Sequence, residues 1–102
     1  MCRGRDGTLS IHHDDSRLWR GLGERALAEG DGKLALNCWC RVHALESGAH
    51  DAMFRVGHSL LLLGQPMRAC LIFDALGDRT DAPSGLREQA RRMAAAYEPV
   101  DG

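Results

Sequence analysis

Residues 34 positions apart answer one another along this chain, and that spacing restricts the fold more tightly than any other feature. Trp19 answers to Met53, Leu22 to Val56, Gly23 to Gly57, Ala26 to Leu60 and Gly30 to Gly64. Further on, Ala35 answers to Ala69, Trp39 to Phe73 and Val42 to Leu76. A unit of this length holds one helix pair and cannot close a core alone, so successive units must stack. The small members of each set let helices approach, and the large members fill the space between neighbours.

Helical periodicity places the elements. Apolar residues at 18, 19, 22, 26 and 27 share one side of a helix that Asp15 or Ser16 caps and that ends near Ala28. Gly30 suits a left-handed position after a helix end, Gly64-Gln65-Pro66 forms the next turn, and Pro66 suits a first helical turn. The predicted helices run over about 16–28, 33–46, 50–63, 66–77 and 83–97. In the last of them Leu86, Ala90 and Met93 follow Met53, Gly57 and Leu60 at a spacing of 33, the pattern of a single closing helix. The expected fold is all-α: two antiparallel helix pairs (16–49 and 50–82) plus a C-terminal capping helix (83–98). Residues 1–15 are polar and aperiodic and read as a flexible arm, with 99–102 as a tail.

Within the unit the recurring residues fall at positions 4, 7, 8, 11, 15, 20, 24 and 27. This resembles the tetratricopeptide repeat, W-x2-L-G-x2-Y followed by A-x3-F. Ser47 and Asp81 stand where that family carries proline, and Ala26 and Leu60 where it carries tyrosine. The resemblance implies a short TPR-like superhelix whose concave side is lined by the first helix of each unit. The family's groove positions fall on Arg17, Arg20, Glu24, Leu27 and Ala28, then on Asp51, Phe54, His58, Leu61 and Leu62. From these sets, Arg20, Glu24, Leu27, Phe54, His58, Leu61 and Leu62 are the expected partner-binding residues. The family's clamp for chaperone C-termini is not expected, because Glu24 would repel the ligand's carboxylate. The run from Gly57 to Pro66 and the pair-and-lid layout are also similar to small chaperones of bacterial type III secretion. That likeness implies a bacterial, cytoplasmic protein holding an export subunit.

Charge and cysteine usage narrow the alternatives. A formal net charge of −1 gives no electrostatic case for nucleic acid or a membrane surface. No segment approaches the roughly 20 apolar residues of a membrane span, and Met1 to Ser10 lacks a signal-like apolar stretch. A cytoplasmic location follows, with the four cysteines reduced. Cys38 and Cys40 point to opposite sides of a helix, whereas Cys40 and His43 share a face but supply half of a zinc site. Completing that site would require the arm (Cys2, His12, His13, Asp14, Asp15) to fold over, so no metal and no cofactor is expected. No cysteine lies beside His58, which leaves no nucleophile for catalysis. Arg87, Arg91 and Arg92 read as a solvated basic stripe. The sequence therefore points to a non-enzymatic adaptor or chaperone holding a helical or apolar segment. The alternative is a self-assembly module that uses the same apolar face for a homodimer, or simply buries it as core.

Overall fold

The computed structural model describes residues 15–97. The fold is all-α, with five helices and no strand among the described residues. They are α1 (Ser16–Ala28), α2 (Gly32–Leu45), α3 (His50–Leu62), α4 (Pro66–Gly77) and α5 (Ser84–Tyr97). Each helix packs on the next one, and α3 also touches α5. Short connections between packed neighbours make successive helices antiparallel. The expected boundaries hold to within one residue. The arm before Asp15 and the tail after 98 lie outside the described residues.

The backbone itself keeps the 34-residue period. Helices α1, α3 and α5 begin at Ser16, His50 and Ser84. The closing helix thus preserves the full period in its start, although its side-chain pattern reads one residue short. The turns that end α1 and α3 are copies of each other. After α1, the Gly30 amide donates to Leu27 (3.1 Å) and that of Asp31 to Ala26 (2.8 Å). After α3, Gly64 donates to Leu61 (3.0 Å) and Gln65 to Leu60 (2.9 Å). This paired bonding satisfies the orphan carbonyls of a helix end and needs a left-handed residue at its centre. Gly30 and Gly64 supply it with φ of 76° and 74°. Asp15 caps α1 by accepting from the Arg17 amide at 3.0 Å, and Asp31 caps α2 through the Leu34 amide at 3.1 Å.

Two core clusters form, one per unit. The first gathers Ala26, Ala35, Trp39, Val42, Ala49 and Ala52, and the second centres on Phe73 with Leu60, Ala69, Leu76, Ala90 and Ala94. Val56 packs against both and joins them. In each unit the aromatic ring lies directly on a glycine of the preceding helix. A β-carbon at Gly23 would come within 2.6 Å of Trp39 Nε1, and one at Gly57 within 2.6 Å of Phe73 Cζ. Glycine is thus required at both positions by the close approach of a ring. The spacing Gly23–Trp39 and Gly57–Phe73 is the physical content of the repeat.

Candidate functional site

The expected site residues divide by their position in the unit. Arg20 and Phe54 are counterparts, and each roofs the buried aromatic of its own unit. The Arg20 guanidinium lies 5.8 Å from the Trp39 ring centroid, and the Phe54 ring packs tilted on Phe73 at 5.2 Å. Leu27 and Leu61, also counterparts, are half-buried and pack against the first and second clusters. Glu24 and His58 are exposed. Leu62 is 42% exposed. Four of the seven residues are therefore built into the packing between helices, while Glu24, His58 and Leu62 form the accessible part of this face.

Arg20 is held by two carboxylates at once. It donates from Nη2 and Nε to Glu46 at 2.9 and 3.2 Å, and from Nη1 and Nη2 to Asp51 at 2.7 and 3.2 Å. Glu46 is the C-terminal cap of α2 and Asp51 lies in the first turn of α3. The guanidinium thus pins three helices where they meet. These bonds push the Arg20 pKa further up, Glu46 first and Asp51 next. In return they hold the Glu46 and Asp51 carboxyls below their ordinary values, with a Ser16 bond helping at Glu46. A second guanidinium, that of Arg55, lies 5.6 Å from the Trp39 centroid. Nε1 of Trp39 is buried and makes no hydrogen bond among the described residues.

An apolar concavity lies between helices α2, α3 and α4. Helices α2 and α4 form its walls and α3 its floor. Cys40, Val56 and Ile72 line its whole length, joined at one end by His43 and Met53 and at the other by Leu36, Leu60 and Leu71. Arg68 stands at the rim as a charged member. Leu71 is 68% exposed and Met67, one turn away on α4, is 62% exposed. Burial pushes the Cys40 thiol up, so it is protonated at neutral pH and contributes apolar surface to the groove.

Sequence reasoning missed this groove because it treated the second helix of each unit as packing material. A signal was present. Lys33 and Asn37 in the first unit become Met67 and Leu71 in the second, so a wet surface turns apolar exactly one period later. The run Ala69-Cys70-Leu71-Ile72-Phe73 is also more apolar than one buried face requires.

Among the described residues no group of three or more His, Cys, Asp or Glu side chains could hold a metal ion. The Cys40–His43 pair faces the groove without a further His, Cys, Asp or Glu ligand among the described residues, and the arm residues expected to complete a site (Cys2, His12, His13, Asp14) lie outside them. No helix of the described residues is long and apolar enough to cross a membrane. Neither a protein-family model, nor a curated protein, nor a solved structure matches the chain.

Proposed function

We propose that this chain is a non-enzymatic protein-binding module of the tetratricopeptide type, acting as an adaptor or chaperone for an apolar helical segment. The observation that carries the reading is the α2–α4 groove, an open apolar trough whose rim residue Leu71 is 68% exposed. Water contact on such a side chain is relieved when a partner covers it, worth roughly 1.5–3 kcal/mol for each residue fully buried. A partner helix laying apolar side chains at helical spacing along Leu36, Cys40 and Leu71 fits a trough bounded by two helices. A small type III secretion chaperone in a bacterial cytoplasm is the narrower form of the same proposal. It rests on the likeness of the Gly57–Pro66 segment and the pair-and-lid layout.

A second reading places the partner on the opposite face, over Glu24, His58 and Leu62, with Phe54 and Leu61 beneath. Its support is Leu62, which is 42% exposed beside polar neighbours. The same apolar surfaces serve a homodimer in the self-assembly alternative.

Cys40 provides a native handle for the test. In a Cys2→Ser background it is the accessible thiol, since Cys38 and Cys70 are buried. A benzophenone maleimide attached there should photocrosslink to the partner in lysate of the source cells, and mass spectrometry would place the linkage on an apolar helical segment. Leu71→Glu with Met67→Glu should abolish the crosslink. Loss with His58→Glu and Leu62→Glu instead would move the site to the other face. A crosslink only to a second copy of the chain would replace the adaptor reading with self-assembly.

A further inference from the structure

We infer that Cys40, His43 and Met53 form a binding site for a soft monovalent metal ion, copper(I), where α2 meets α3. These three residues, with Val56 and Ile72, line a cavity of about 230 Å³ at one end of the groove. Cys40 and His43 stand one turn apart on the same face of α2, close enough to share an ion. Met53 reaches the same cavity from the first turn of α3, which packs on α2. Taken alone, α2 supplies half of a zinc site, and the thioether completes a different set. A thiol, an imidazole and a thioether, with no carboxylate among the lining residues, are the soft donors that select copper(I). Cys40 and His43 are exposed and Met53 is half-buried, so the ion has a way in from solvent.

The repeat shows that packing does not call for these donors. One period on, Cys40, His43 and Met53 become Asp74, Gly77 and Arg87. There the junction of α4 and α5 is closed by arginine. Arg87 Nε donates to the Gly77 carbonyl at 3.3 Å, and a β-carbon on Gly77 would come within 2.8 Å of Arg91 Cγ. The α2–α3 junction instead keeps a cavity, faced by two sulfurs and an imidazole. On binding, the Cys40 thiol gives its proton to solvent as the copper–sulfur bond forms. His43 and Met53 add lone pairs, and copper keeps its +1 state throughout. Val56 and Ile72 supply apolar walls that offer no hard ligand. The ion is recognised by donor chemistry and not by apolar contact, so the inference does not rest on the proposed function.

The test is anaerobic competition for copper(I) against a chromophoric chelator. It uses the full chain with Cys2→Ser, His12→Gln and His13→Gln, so that no thiol or imidazole remains outside the described residues. This chain should take up one copper(I), keep its helicity and gain a higher unfolding midpoint. Copper X-ray absorption should show two sulfur neighbours and one nitrogen. Met53→Leu is the decisive variant, because it keeps an apolar side chain of similar volume and removes only the donor. It should weaken binding by about tenfold and leave the metal-free midpoint within a few degrees. Cys40→Ser should weaken binding by about a hundredfold, with the buried Cys38 and Cys70 untouched. Zinc(II) at the same free concentration should leave the midpoint unchanged. A folded chain that takes up no copper(I) overturns the inference. Uptake that survives Met53→Leu at full strength overturns the three-donor site, even where Cys40→Ser removes it. Uptake only with loss of helicity overturns it equally and assigns the metal to Cys38 and Cys70 of an unfolded chain.

Discussion

In the first unit a guanidinium roofs the buried aromatic, and in the second a phenyl ring does. Arg20 over Trp39 and Phe54 over Phe73 occupy the same positions on the same skeleton. Beneath each roof the glycine, the left-handed turn and the small residues Ala35 and Ala69 are retained. Above it the chemistry diverges: the first unit is fastened by ions, the second by apolar contact. On the second helix the divergence runs the same way, with Lys33 and Asn37 against Met67 and Leu71. The shared positions build the fold, and the divergent ones give the second unit the more apolar surface.

The largest effects should test the shared skeleton. Trp39→Ala and Phe73→Ala should each cost about 3–5 kcal/mol in urea unfolding, because both rings are fully buried. Urea transitions that fail to coincide when followed by tryptophan fluorescence and by helicity would show that the units do not unfold together. Next come Gly23→Ala and Gly57→Ala. The new methyl meets a ring at 2.6 Å in both, so each should lose about 1–3 kcal/mol despite better helix propensity. Combining Gly23→Ala with Trp39→Phe should recover part of the loss, as the smaller ring also removes the unpaired indole N–H.

The ionic fastening of the first unit should show itself in acid. Arg20→Met should cost about 2 kcal/mol at neutral pH, the scale of hydrogen bonds to charged groups. Because Glu46 and Asp51 have lowered folded-state pKa values, their contribution is complete above their ordinary values of 4.5 and 3.8. It is lost as pH falls through the lower folded-state values. Thermal midpoints of the wild type should therefore drop below about pH 4 more steeply than those of Arg20→Met. Parallel pH profiles would show that the brace contributes little to folding. The smallest stability effect belongs to Leu71→Glu, within about 0.5 kcal/mol as expected for an exposed position, even though it should eliminate partner crosslinking. A large loss of stability there would identify Leu71 as packing and not as a binding residue.

The skeleton was legible because sterics repeat: a ring on a glycine leaves the same mark at Gly23 and Trp39 as at Gly57 and Phe73. The left-handed turn at Gly30 was legible as well, and its counterpart Gly64 was legible as a turn, with the same positive φ seen only in the structure. The site was less so. Groove positions carried over from a resemblance do not register what roofs a ring, and Arg20 and Phe54 were read as reaching outward when they close over the core. Nor does a one-dimensional pattern reveal that Arg20 meets Glu46 and Asp51, which lie 26 and 31 residues away. The α2–α4 groove depends on the gap left between two helices that are not neighbours in sequence, and spacing alone does not measure a gap.

Packing that joins each helix chiefly to the next one also sets how the chain acquires its structure. Few distant segments must find each other, so little loop-closure entropy precedes the first stabilising contacts. Folding on a microsecond-to-millisecond scale is the expectation for such local topology. The Trp39 layer needs only α1, α2 and the start of α3, so it can assemble while the Phe73 layer is still being synthesised. During that interval the apolar surface of α3 awaits α4, and the nascent chain is most exposed to misassociation before α4 follows.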